Sequence, residues 1–130
     1  MITVPKKVEY SIILISYLSK NKGETISLTD VAKRLYLPYR FLGQISGALK
    51  AIGVLESKEG KNGGYYLAQG WEDKTIYDVM DALGENKHMV KCLASGEKCL
   101  RENTCEIKNI FNKIEDKFVD ELKAVKLKEI

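Results

Sequence analysis

Proline and histidine are scarce in this chain, with two prolines and one histidine among 130 residues. With so few prolines and only ten glycines, there is no Pro- or Ser-rich linker, and the length holds one domain, or one domain with a short extension. Long apolar runs are missing too. The longest purely aliphatic stretch is Ile12-Ile13-Leu14-Ile15, far short of the roughly 20 residues a membrane-spanning helix needs. The first residues, Met1 to Lys7, lack the basic-then-apolar order and small-residue cleavage site of a secretory signal, so the expected location is the cytoplasm, with no membrane partner. No nucleophile–base pair or phosphate-binding loop stands out, and the single histidine, His88, has no evident partner in the sequence. Catalysis is therefore the least supported function.

Apolar residues make up 45% of the chain and charged residues 30%, the ordinary mix of a folded soluble domain. The net charge is only +3, but it is unevenly spread: residues 1–70 carry +5 and residues 71–130 carry −2. A basic half joined to a mildly acidic half suits a polyanionic partner for the first half. The plainer reading is a solvated surface of uneven charge.

Hydrophobic periodicity then orders the chain. Val4, Val8, Ile12, Ile15 and Leu18 recur at helical spacing, ended by Asn21-Lys22-Gly23. Ser27 and Asp30 form a capping signature for a second helix, with Leu28, Val31, Ala32 and Leu35 on its apolar face. Leu37-Pro38 breaks that helix, and a third is expected over residues 39–52, with Leu42, Ile45, Leu49 and Ile52 inward and Gly53 as its left-handed stop. Val54–Lys58 and Tyr65–Ala68, two β-prone runs around an Asn/Gly-rich turn, read as a hairpin. Helix, helix-turn-helix and hairpin in this order predict a winged helix-turn-helix: a mostly α fold with a small β-hairpin wing, spanning residues 1–84. Within it, Thr75-Ile76-Tyr77-Asp78 caps a short helix.

After a cysteine-bearing segment (85–104), residues 105–130 hold a long helix and a tail. Ile107, Ile110, Phe111, Ile114, Phe118, Leu122 and Val125 sustain one apolar stripe over about 20 residues, or about 30 Å. So small a domain cannot cover such a stripe alone, which predicts a homodimer through Ile110, Phe111, Ile114, Phe118 and Leu122.

An α-helix fits the major groove, and the third helix leaves Tyr39, Arg40, Gly43, Gln44, Gly47 and Lys50 off its apolar stripe. Arg40 and Gln44 share a face at i and i+4; arginine can read guanine and glutamine can read adenine, so these two are the candidate base readers. Tyr39, Lys50 and Lys6 are candidates for holding phosphates. Gly43 and Gly47 each cost about 1 kcal/mol relative to alanine inside a helix, and on an exposed face they fit close approach to DNA. In the wing, Lys58 and Lys61 beside Gly60, Gly63 and Gly64 suit a backbone or minor-groove contact, although Glu59 lies between them.

Cys92, Cys99 and Cys105 are the only cysteines, an odd number, and they fall within fourteen residues. This argues against a disulfide framework and for thiolate ligands or a redox switch. The spacing is not the paired CxxC of zinc ribbons, and its wide, glycine-containing intervals let the chain wrap an object larger than one ion. Iron–sulfur clusters, zinc and cuprous ions all suit soft thiolates. Three thiolates leave one ligand short of four.

Several segments together resemble the winged-helix iron–sulfur regulators of the IscR and NsrR type. They are Val8-Glu9-Tyr10, Leu28-x-Asp30-Val31-Ala32, Phe41-Leu42-x-Gln44-Ile45, Gly60-x-x-Gly63-Gly64-Tyr65, Ile76-x-Asp78-Val79, and above all the cysteine triplet before the last helix. The resemblance covers essentially the full length. It implies a homodimeric repressor or activator on palindromic double-stranded DNA, with Cys92, Cys99 and Cys105 holding a two-iron or four-iron cluster that senses iron–sulfur status, nitric oxide or redox stress.

IscR-like members place a histidine ligand two residues after the last cysteine, where this chain has Ile107. NsrR-like members use an acidic residue of the first helix, reaching over from the partner subunit; Glu9 is the matching position here. His88, four residues before Cys92, is the other candidate fourth ligand. Gly43 and Glu59 stand where IscR-like members carry a glutamate and an arginine. Two rival readings keep the same residues. One is a thiol-switch or zinc-dependent regulator, and the other is a winged-helix adaptor that binds protein rather than DNA.

Overall fold

The computed structural model describes residues 3–85, 88–90 and 98–130, so Cys92 lies outside the described residues. Helix α1 (Lys6–Lys20) begins after Pro5, whose ring cannot donate a backbone hydrogen bond and so suits a helix start. Val4 therefore falls outside the helix and is exposed, a correction to the periodicity; Val8, Leu14, Ile15 and Leu18 form the buried face. Helix α2 (Leu28–Leu35) is capped by the Ser27 hydroxyl, which accepts the Asp30 N–H at 3.2 Å. It ends one step earlier than Leu37-Pro38 demands, at Tyr36, which takes the left-handed conformation (φ +55°) that glycine normally supplies.

Helix α3 (Tyr39–Ala51) starts after Pro38 and buries Leu42, Ile45, Ser46 and Leu49. Strands β1 (Leu55–Lys58) and β2 (Gly64–Leu67) pair antiparallel, Leu55 opposite Leu67 and Lys58 opposite Gly64. The hairpin is tied back to the helices by a bridge at Ile26, whose backbone exchanges two hydrogen bonds with Tyr65 at 3.0 and 2.7 Å. That bridge passes so close to Gly64 (φ +152°) that an added Cβ would lie 2.4 Å from the Ile26 carbonyl oxygen.

Helix α4 (Ile76–Ala82) carries the expected capping box, with the Asp78 N–H donating to Thr75 Oγ1 and the Thr75 N–H donating to Asp78 Oδ2. Helix α5 (Glu106–Ala124) is capped by Cys105 itself, because residues 102–104 form a 3-10 turn rather than the helix entry.

Past α5 the chain returns to the winged domain, a step that hydrophobic periodicity did not single out. The Ile76 N–H donates to the Val125 carbonyl at 3.1 Å and the Leu127 N–H to the Lys74 carbonyl at 2.8 Å. Leu127 is fully buried in the same core that holds Leu14, Ile15, Leu49 and Val79, and Leu122 and Ile130 pack against that core. Leu122 thus spends its side chain on its own domain, whereas Ile107, Ile110, Phe111, Ile114 and Phe118 remain 36–61% exposed. This one core holds α1, α3, α4 and both ends of the hairpin.

Replacing Gly64 by alanine should cost about 1–3 kcal/mol, because the added methyl collides with backbone that the Ile26–Tyr65 bridge cannot release cheaply. Thermal denaturation should show a melting temperature lowered by several degrees; an unchanged melting temperature would contradict this account of the wing's attachment.

Candidate functional site

Burial of one face of α3 decides what the other face presents. Leu42, Ile45 and Leu49 point into the core, and Tyr39, Arg40, Gly43, Gln44, Gly47 and Lys50 all lie exposed. A Cβ added at Gly43 or Gly47 would meet nothing within 4 Å, so no packing among the described residues explains these glycines. They leave a strip of bare backbone beside Arg40 and Gln44. The Arg40 guanidinium rests over the Phe41 ring, 4.7 Å from its centroid, which holds the side chain at the helix start. Lys50 donates to the Ser57 hydroxyl at 2.6 Å, so its ammonium is held between the helix and β1. Lys58 and Lys61 are exposed on the hairpin, and Tyr66 on the facing strand donates to Glu56 at 2.8 Å, an interaction that raises the phenol above its ordinary value.

Not every cation of the basic half faces outward for a partner. Arg34 binds Tyr17 Oη at 3.0 Å and the Glu24 carboxylate, pinning α2 to α1. Lys6 pairs with Glu9 at 3.0 Å, and hydrogen bonding to that carboxylate raises the ammonium above its usual value. Exposed cations remain on α3 and the wing as well as at Lys20, Lys22 and Lys33, and those on α3 and the wing suit a groove-binding helix flanked by a phosphate-contacting loop.

The second candidate site lies at the start of α5. Cys99 is exposed and Cys105 half-buried, and both are free thiols. The 3-10 turn Glu102–Thr104 separates them, with the Glu102 N–H donating to the Cys99 carbonyl at 3.0 Å. Cys105 Sγ accepts the Lys108 N–H at 3.5 Å, at the positive end of the α5 dipole. Two sulfurs outside the apolar core, one of them at a helix N-terminus, fit a thiophilic centre by donor chemistry. Among the described residues, no three His, Cys, Asp or Glu side chains converge tightly enough to hold an ion. Glu9 is exposed on the first turn of α1, and a single chain does not bring it into a finished ligand set with His88, Cys99 and Cys105.

His88 does have a partner, contrary to the reading of the sequence. Its Nδ1 lies 2.6 Å from Glu115 Oε1, and the Met89 N–H donates to Glu115 Oε2 at 3.1 Å. Glu115 is only 6% exposed. Its position was discernible in principle, since it precedes the core-packing Leu122 by seven residues, two helical turns along the same face. A lone glutamate beside an apolar stripe gave no signal by residue type.

Comparison with known proteins agrees with this architecture. Residues 4–130 match the Rrf2 family model, described as an iron-dependent transcriptional regulator. The chain is 28% identical to the transcriptional regulator NsrR of Bacillus licheniformis, over 94% of this chain and 87% of that protein. It is 26% identical to a putative helix-turn-helix regulator of Aquifex aeolicus, over 95% and 87%. Among solved structures it resembles CymR, the global cysteine regulator of B. subtilis, with a TM-score of 0.71 at 25% identity, covering 98% of this chain and 94% of that one. A winged helix-turn-helix with a bare, basic α3 face, matched along nearly its whole length by one family model, belongs to the Rrf2 family of transcriptional regulators, which are not enzymes.

Proposed function

We propose that this regulator is a homodimer that binds palindromic double-stranded DNA in the cytoplasm, its affinity set by an iron–sulfur cluster held by Cys92, Cys99 and Cys105. The observation that carries the reading is the cysteine triplet running into α5, the helix whose exposed apolar stripe is the natural dimer surface. Similarity to NsrR and the iron-dependence of the family description support the choice of cluster. Bound there, such a cluster supplies a centre that nitric oxide, oxygen or iron shortage can dismantle. Cys105 gives the chain a direct way to register its state. Its sulfur caps α5, so recruiting or releasing that sulfur acts on the first turn of the helix. Arg40 and Gln44 read bases, while Tyr39, Lys50, Lys58 and Lys61 hold the backbone.

A second reading rests on the likeness to the cysteine regulator CymR and on the free, accessible Cys99 and Cys105. In it the same cysteines act as a thiol switch or hold zinc. Anaerobic purification separates the two: the iron–sulfur form is brown with visible absorbance, and the thiol and zinc forms are colourless. Cys99→Ala should abolish the colour and the bound iron and sulfide. A colourless wild type after anaerobic reconstitution would decide for the thiol or zinc reading.

On DNA, Arg40→Ala should cost about 1–3 kcal/mol and relax specificity at one base position, whereas Lys61→Ala should weaken all sequences alike and flatten the salt dependence. Fluorescence anisotropy at several salt concentrations measures both. An Arg40→Ala variant binding every duplex as tightly as wild type would remove α3 from base reading.

For assembly, Phe111→Glu combined with Phe118→Glu should yield monomers with reduced operator affinity, because each half-site contact is weak alone. An unchanged dimer in sedimentation velocity would refute α5 as the dimer surface.

A further inference from the structure

We propose that Tyr36, in the turn between α2 and α3, is a DNA contact of this protein, its hydroxyl donating a hydrogen bond to a phosphate beside α3. The inference rests on the reading above that α3 meets DNA, and it adds a residue that neither spacing nor charge nominated.

Tyr36 follows the last residue of α2 and ends that helix at φ +55° and ψ +40°. Among the described residues it is the one residue other than glycine with a positive φ. In that region the Cβ of an L-residue crowds a backbone carbonyl oxygen, and glycine or asparagine is the usual occupant. Burial of the ring or a bond from the hydroxyl could offset the strain. Neither does so here. The residue is 92% exposed, and no hydrogen-bond or ring partner is found for it among the described residues. A side chain that is strained and stabilises nothing within its own chain has the mark of one held for an external partner.

Position and charge point to the class of partner. Tyr36 precedes Arg40 by four residues, so the covalent chain keeps their Cα atoms within about 14 Å. Tyr39, the first residue of α3, is 61% exposed beside it. Between Asp30 and Glu56 the chain has no acidic residue, and it carries Lys33, Arg34, Arg40 and Lys50. A helix lying in the major groove passes between two rows of phosphates, and the turn leading into it stands over one of them. A phenol suits that place: its ring can lie against the sugar while its hydroxyl donates to a phosphate oxygen. Being neutral, it displaces no condensed counterion. Its loss therefore lowers affinity without changing the salt slope, unlike the loss of a lysine.

The test is fluorescence anisotropy of the full-length protein on a labelled duplex of arbitrary sequence over a salt series, since phosphate contacts do not depend on sequence. Tyr36→Phe should weaken binding about 2–10-fold at every salt concentration, the worth of one hydrogen bond, with the wild-type slope and melting temperature. Tyr36→Gly should weaken binding at least as much while raising the melting temperature, because glycine relieves the left-handed strain. Sedimentation of both variants should match wild type.

A Tyr36→Phe protein that binds as tightly as wild type overturns the proposal. So does a lowered melting temperature in Tyr36→Gly, which would tie the side chain to its own fold, or altered sedimentation, which would tie it to a second copy. Arg40→Ala runs alongside on a duplex selected from a random pool for tight binding by wild type. If Tyr36→Phe weakens binding and Arg40→Ala discriminates among bases as wild type does, base reading by Arg40 falls and the Tyr36 contact stands. If only Arg40→Ala has an effect, the reverse holds. A wild type that binds no duplex refutes both.

Discussion

The burial of Leu42, Ile45 and Leu49 is the constraint on which the rest of the structure depends. These three side chains fix the rotation of α3 about its own axis, and a helix has only one opposite face. Turning α3 by one residue would carry Arg40 and Gln44 off the outer surface and put Gly43 and Gly47 against the core, leaving voids. The same core receives Val8, Leu14 and Ile15 from α1, Val79 from α4 and Val54 and Leu55 at the hairpin's base. The wing and α3 are therefore set relative to each other by shared packing rather than by the short turn between them. The bond from Lys50 to Ser57 trims that geometry from outside.

Helix α5 meets this body in two ways of different character. At its C-terminal end the attachment is apolar and backbone-bonded, through Leu127 and the bridge to Lys74 and Ile76. Midway along, the attachment is polar, where Glu115 holds residues 88 and 89. Hydrophobic burial is insensitive to direction, whereas a buried carboxylate tolerates its partners only in a narrow geometry. The first contact supplies stability, and the second fixes the orientation of residues 88 and 89 against α5.

Much of this was legible from residue order. Repeats of three and four positions located α1, α3 and α5, Thr75 with Asp78 marked the start of α4, and the glycine-rich turn marked the hairpin. Each is a local signal, readable because its cause lies within one or two helical turns. The left-handed Tyr36 was hidden because the Leu37-Pro38 pair that follows it offered a sufficient stop of its own. Leu127 was hidden because a single leucine in a charged segment has no periodicity; only the returning chain explains its burial. The pairing of His88 with Glu115 spans 27 residues and joins groups that look solvent-bound by type. Long-range polar contacts of this kind leave no pattern in one sequence. At the candidate sites, residue type and spacing nominated the exposed α3 positions, the glycines Gly43 and Gly47 among them, and the cysteines; the fold added that a side chain at either glycine would meet nothing within 4 Å.

The firm seat of α5 at Leu127 has a mechanical consequence. A helix of 19 residues is about 28 Å long, and one end of this one is clamped in the core. Such a body acts as a lever with its fulcrum at the C-terminal end and its far end at Cys105, restrained midway where Glu115 holds residues 88 and 89. A tilt of about 5° at the fulcrum carries the far end through about 2.5 Å, close to the amplitude of helix shifts that switch subunit interfaces. Run the other way, a small displacement of Cys105 becomes a still smaller rotation at Leu127, delivered with greater force into the core that α3 shares.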